Sequence, residues 1–331
     1  MSDHPPRRDA EVADPDHATD PAARPATDQP SPAAPGRLPR LRRVLDSVVS
    51  ATVSRLGVVY VLTLITYIIS PPRNTPLAAR IAAGVALVLV PWLVTNRRLR
   101  TAVLAVLLPI AAFGPLSYPF LDLDNHHVLT LYWLLALLLT GMASDPLDAL
   151  RRSARWLLAL VFVFATLWKL LVPDFADGSF LTYLLATDAR IDRVADAVDW
   201  HDPQITADNR SLIGPLRHDP HTPLEPTVLE VPDRSMTAGP LLAMGTILLE
   251  GAVALAYALP LRGRWRWARG LSLTAFLLTT YGLLPVYGFG ALLAVMGLAA
   301  SGLPERRAIT AYLALWAAVG ALAWVSGLLG G

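Results

Sequence analysis

Cysteine is missing from all 331 residues. Its absence excludes disulfides, thiol nucleophiles, thiolate metal sites and cysteine-ligated iron–sulfur clusters, while saying nothing about compartment. Charge is sparse as well, at 16% of residues and a net +2. Nucleic acid is therefore not expected as a partner, because the basic residues lie beside apolar runs rather than in one patch. No apolar core follows the first few residues, so no signal peptide is expected. Lysine is almost missing too. Of twenty-eight basic residues, Lys169 alone is lysine, which leaves twenty-seven arginines. Arginine does not release its proton in a protein, whereas a lysine desolvated by apolar neighbours can approach neutrality and act as a base. Lys169 stands inside the apolar run LALVFVFATLWKLLVP.

Apolar sequence is plentiful. A hydrophobic share of 54% with mean hydropathy +0.45, and several runs near the ~20 residues that cross a bilayer, predict an all-α polytopic membrane protein. Residues 1–36, rich in Pro, Ala and Asp without apolar periodicity, predict a disordered cytoplasmic tail. Residues 37–331 then form the transmembrane domain. Arg37, Arg40, Arg42 and Arg43 precede the first span and place the N-terminus inside. Spans are expected at about Val48–Ser70, Leu77–Thr95, Thr101–Phe120, His127–Met142, Trp156–Val172, Gly239–Pro260 and Ile309–Leu329. Residues 270–300 are too long for one comfortable span and short for two, with Pro285 and nearby glycines marking a kink or a break. The count is eight or nine spans accordingly. The basic loops around Arg97, Arg151 and RGRWRWAR fall on the cytoplasmic side.

Residues 173–237 form a long extracytoplasmic loop with twelve acidic residues against five arginines. Within it DARIDRVADAVDW predicts a short amphipathic surface helix with Ile191, Val194, Ala195 and Val198 on its apolar side. The sequence after it, through the Pro-rich PLRHDPHTPLEPTVLEVP, reads as irregular. His201, His218 and His221 sit in proline-bearing context that does not put two histidines on one helix face, so no metal site is expected. The NRS at 209–211 fits a glycosylation sequon, discounted because the composition does not look eukaryotic.

Three polar features interrupt the apolar spans. Glu250 lies about 16 Å into its span at 1.5 Å per residue, where a carboxylate costs roughly 2.5–3.5 kcal/mol and must be neutral or paired. Arg55 is one candidate partner. Lys169 lies about one turn below the outer end of its span. It either snorkels to the outer headgroups, with Asp174 and Asp177 near enough to hold it charged, or serves chemistry. Asn125, His126 and His127 open the fourth span, where Asn125 suits a helix cap.

With these residues assembled, the chain resembles the HTTM family, membrane proteins related to vitamin K-dependent gamma-carboxylase. Three stretches carry the resemblance: DNHHVLTLYWLLALLL, FATLWKLLVPDFADGSF and ILLEGAVALAYALPLRGRWR. Order and spacing agree over roughly residues 45–300, and the lysine segment is the most specific. The resemblance implies Lys169 as the base that deprotonates a reduced quinone such as vitamin K. Asn125 and His126 are implied as its polar partners, with His127 as an alternative register. In the carboxylases oxygenation of that quinol drives proton removal beside a glutamate carboxylate, and carbon dioxide then adds. The family's Phe-His pair is absent from TAFLLTTYGLLPVYGFG, and the sizeable outer segment that a peptide substrate could meet is the 173–237 loop. The implied activity is a membrane enzyme with an outward-facing site, drawing a quinone-like or other lipid-soluble cofactor from the bilayer. The competing expectation is a non-enzymatic transport or assembly component in which Lys169 and Glu250 are structural or gate a proton.

Overall fold

The computed structural model describes residues 46–47, 49–71, 75–116, 125–200, 202–218, 228–284 and 286–329. The expected N-terminal tail lies outside them. Every regular element among the described residues is helical. In chain order these are α1 (Arg55–Ile69), α2 (Leu77–Val88), α3 (Val90–Thr95), α4 (Arg97–Leu116), α5 (Asn125–Gly141), α6 (Pro146–Leu171), α7 (Pro173–Ala176), α8 (Ser179–Thr187), α9 (Asp192–Ala197), α10 (Pro203–His218), α11 (Asp233–Ala258), α12 (Trp267–Leu283), α13 (Tyr287–Ala300) and α14 (Glu305–Leu329). A 3₁₀ turn, Gly263–Arg266, leads into α12.

Three helices, α6, α11 and α14 as far as Val325, are long and apolar enough to cross a membrane. Their outward faces are apolar rather than polar. Phe164, Trp168 and Leu171 on α6, and Leu241, Met244, Leu248 and Leu255 on α11, are all exposed at helical spacing. In water such stripes would be a liability; against hydrocarbon they are the expected surface. The opposite faces bury a single large core around Tyr60, Trp133, Phe162 and Leu293. α13 is the central helix. It is buried at every residue from Gly290 to Ala300 and packs against α1, α6, α12 and α14, which is why it is apolar all round.

The basic loops have a structural task. A helix leaves its last four carbonyls without intrahelical donors, and they carry the negative end of the macrodipole. Arg100, 3% exposed, donates to the carbonyls of Leu93 and Val94 at 3.2 Å and of Gly141 at 2.8 Å. Arg155 donates to those of Tyr257, Ala258 and Leu259. Arg269 donates to those of Ala256 and Leu259. Arg55 reaches the Ser301 and Leu303 carbonyls at 2.7 and 2.6 Å, and its backbone N–H donates to Glu305. Arg55 is thus engaged at the α13–α14 turn and is not the partner of Glu250.

Of three further sequence expectations, the break in 270–300 and the surface helix are found, and the irregular stretch is not. The 270–300 segment is two helices, since α12 ends at Leu283 and α13 starts at Tyr287. Residues 203–218, read as irregular, form α10. Asn209 explains that helix's fixed place. At 1% exposure its amide donates to the Ala186 and Glu230 carbonyls, and its oxygen accepts from the Glu230 N–H. Asn209 is therefore a buried strut, not an acceptor for sugar. The expected surface helix is present as α9, with Ile191 and Ala195 buried in a small cluster with Leu185 and Ala238, but Val198 is 46% exposed.

Candidate functional site

α6 starts where Asp145 caps it, its side chain accepting from the Asp148 N–H, with Pro146 in the first turn. It ends at Leu171, and Pro173 then starts the one-turn α7. Lys169 therefore sits in the last turn, where a cation complements the free carbonyls. Glu250 comes from α11, which lies antiparallel against α6. Gly251 of α11 lies beside Thr166 of α6, where an added Cβ would stand 3.7 Å from the Thr166 methyl, an ordinary packing distance. Packing of the two helices along this line puts the carboxylate within reach of the lysine stem. Lys169 Nζ donates to Glu250 Oε1 at 2.9 Å and to Oε2 at 2.8 Å.

The pair is partly enclosed, with side-chain exposures of 19% for Lys169 and 7% for Glu250. The Phe175 ring of α7 lies with its centroid 5.1 Å from Nζ, a cation–π contact that favours an ammonium over a neutral amine. Tyr281 of α12 is buried within electrostatic reach of Glu250. The chain is folded back over the pair by Gly178, in a left-handed conformation at φ 86° that suits glycine. A Cβ there would stand 2.4 Å from Pro240 Cα, and one on Gly239 would stand 1.9 Å from Thr182 Oγ1. α8 and α11 thus meet backbone to backbone about 16 Å along α11 from Glu250.

Asp174 and Asp177 do not hold the lysine. Asp177 Oδ1 instead accepts from the Ser179 hydroxyl at 2.5 Å and from its backbone N–H at 2.8 Å. These two bonds, the hydroxyl's first, hold the carboxyl below its usual range. Sequence reasoning singled out Lys169 and Glu250 separately, and the fold joins them. Asn125 and His126 open α5, but their side chains lie outside the described residues; His127 is buried at 4% exposure. Phe175 was not anticipated, although an aromatic six residues after a lysine and just past a proline was a readable signal. No cluster of metal-ligating side chains occurs among the described residues, and the side chains of His201, His218 and His221 lie outside them.

The arrangement offers a lysine ammonium and a carboxylate in direct hydrogen-bond contact at the boundary of an apolar region. Trp168 and Leu171, on either side of Lys169 in sequence, are 70% and 76% exposed, so the amine is approached across an apolar surface. No protein-family model matches the chain, and no curated protein or solved structure matches it either.

Proposed function

We propose that the chain is a multi-pass membrane protein of HTTM type whose Lys169 acts as a base on a lipid-soluble, quinone-like substrate at an outward-facing site. The observation that carries this reading is the Lys169–Glu250 pair. Transfer of one proton from Nζ to the carboxylate leaves a neutral amine and a neutral acid, a form that a dry environment tolerates. Lys169 then takes a proton from the substrate, and Glu250 holds the one displaced. The break between α12 and α13 supports nine spans rather than eight, with a cytoplasmic N-terminus in the cell membrane and the 173–237 segment outside. Exposed Trp168 and Leu171 fit a partner arriving from the bilayer, and the aromatic ring of Phe175 fits a flat ring system. A reduced quinone, when bound, would supply an acidic hydroxyl and an oxidisable ring. Asn125 and His126 are proposed as its polar partners.

A second reading has one observation in its favour. Both oxygens of Glu250 are already engaged by the amine, which also suits a structural or proton-gating pair in a transport or assembly protein. One comparison separates the two. Purified protein supplied with reduced vitamin K should consume oxygen, and Lys169→Arg should fail as completely as Lys169→Gln, since arginine keeps charge but cannot serve as base. Full activity in Lys169→Arg would end the base role. Wild-type protein without quinol-dependent oxygen uptake would leave the structural reading.

A further inference from the structure

A cavity of about 710 Å³ opens at the opposite end of the bundle from Lys169, between the start of α6, the end of α11, α12 and the α13–α14 turn. Six arginines line it: Arg151, Arg152, Arg155, Arg262, Arg266 and Arg269. Among the described residues no acidic side chain lines it. Their assignments differ. Arg155 and Arg269 are committed to the carbonyls at the end of α11. Arg151 and Arg152 share one carboxylate, Asp148, which Arg151 approaches only to 3.8 Å, and Arg151 Nε is buried without a hydrogen-bond partner. Arg262 and Arg266 have no carboxylate within ion-pair distance among the described residues, and both are exposed.

Arginine is always charged and its fork matches a phosphate. This many cations around one cavity repel one another until an anion enters. Orientation by basic loops needs arginines near the membrane, but not a cavity ringed by them. The walls describe the rest of the ligand. Leu271, Thr274 and Leu315 continue the cavity along α12 and α14, and Leu271 is 57% exposed, so the cavity runs from cations to an apolar outer surface. Trp267, which lines it, is 54% exposed, as aromatic side chains are at a membrane–water interface.

We infer that this cavity is a binding site for the phosphate headgroup of an anionic phospholipid, with an acyl chain leaving along Leu271. Arg262, Arg266 and Arg151 contact the phosphate, while Arg155 and Arg269 hold the α11 end that forms the floor. The inference rests on the membrane-spanning reading above, but not on the chemistry of Lys169.

The test uses full-length protein in neutral detergent, titrated with short-chain phosphatidylglycerol, short-chain phosphatidylcholine or inorganic phosphate. Saturable binding of phosphatidylglycerol, with neither of the others competing at equal concentration, is the expected result. Arg262→Gln with Arg266→Gln should weaken it by about fivefold per arginine, or about thirtyfold for the pair. Both residues are exposed and bond to nothing else described, so the variant keeps its fold, which its unfolding midpoint verifies. Equal binding of phosphatidylcholine, or unchanged binding by the double variant, overturns the inference. Equal competition by inorganic phosphate overturns the lipid and leaves a soluble phosphate site. Alkaline carbonate extraction of the source membranes reports on the membrane reading separately.

Discussion

Glu250→Gln removes the anion of the buried pair and leaves the Lys169 ammonium beside α11 without a countercharge. Breaking one side of such a pair costs about 3–5 kcal/mol, because the survivor stays desolvated. Lys169 keeps 19% of its side chain exposed and can turn toward the rim, which lowers the expected loss to about 2 kcal/mol. Replacing both, as Lys169→Met with Glu250→Leu, should recover most of it, since two apolar side chains need no partner. Thermal unfolding in detergent of the wild type, Lys169→Met, Glu250→Leu and the double variant measures the coupling. A double variant as unstable as the single would show that the charges are not what the site holds together. Each partner was legible in the sequence on its own: one lysine among arginines, one glutamate inside an apolar run. Their union was not. It depends on α11 packing along α6 with Glu250 level with Lys169 and on a lysine stem bending inward rather than outward, and neither is encoded in spacing. The sequence offered Arg55 as the partner of Glu250 and set Lys169 at a shallower depth, but the free carbonyls at the α13–α14 turn hold Arg55.

At the scale of elements, the reversal from α6 through α7 to α8 decides whether Phe175 stays over Lys169. The reversal depends on Gly178 and Gly239, whose contacts leave no room for a Cβ. Gly239→Ala should destabilise the protein by about 1–3 kcal/mol, the usual range for overpacking, and should lift α8 from α11. A lower unfolding midpoint, with faster hydrogen exchange in residues 179–187, checks it; unchanged exchange would show that the backbone contact is dispensable. Asn209→Ala should act more locally, because its three bonds tie α10 to the Ala186 and Glu230 backbones. Proteolysis between residues 203 and 218 should accelerate while α6 and α11 keep their protection. Asp177 supplies a pH control. Its folded pKa lies below the usual value, so its contribution is present above that value and is lost only as pH falls through the lower one. Any change in site behaviour near neutral pH therefore has another origin. The apolar helices were readable from hydropathy because lipid and core both demand apolar side chains. α10 was not, because PQITADNRSLIGPLRH lacks a continuous apolar face and is held largely by polar side chains, the buried Asn209 and the Arg210 bonds to Thr187 and Asp192.

For the whole molecule, arginine is concentrated at one end of the bundle, where α3, α5, α11 and α13 finish and α1, α4, α6 and α14 begin. Free carbonyls there need donors, and the orientation proposed above puts this end on the cytoplasmic side, where loops favour cations. An arrangement that satisfied only the first could be inserted in either orientation, so orientation requires its own measurement. The lack of native cysteine makes single-cysteine labelling clean. Val228→Cys, at a site 91% exposed, should react with an impermeant thiol reagent in intact cells, and Arg262→Cys only after permeabilisation. The reverse pattern would turn the protein over and carry Lys169 to the cytoplasmic side. Gly302→Cys separates the span counts, since a side chain there meets nothing within 4 Å. With α12 and α13 as separate spans, residue 302 lies inside, level with Arg55, whose guanidinium reaches the carbonyls on either side of it. Labelling should then require permeabilisation. A single kinked span over 270–300 would put residue 302 outside and label it in intact cells. Those same bonds from Arg55 to Ser301 and Leu303 tie the turn to the start of α1, so an external residue 302 would require an external N-terminus as well. Labelling at 228 and 302 in one set of cells therefore tests the orientation and the count together, with opposite results expected at the two positions.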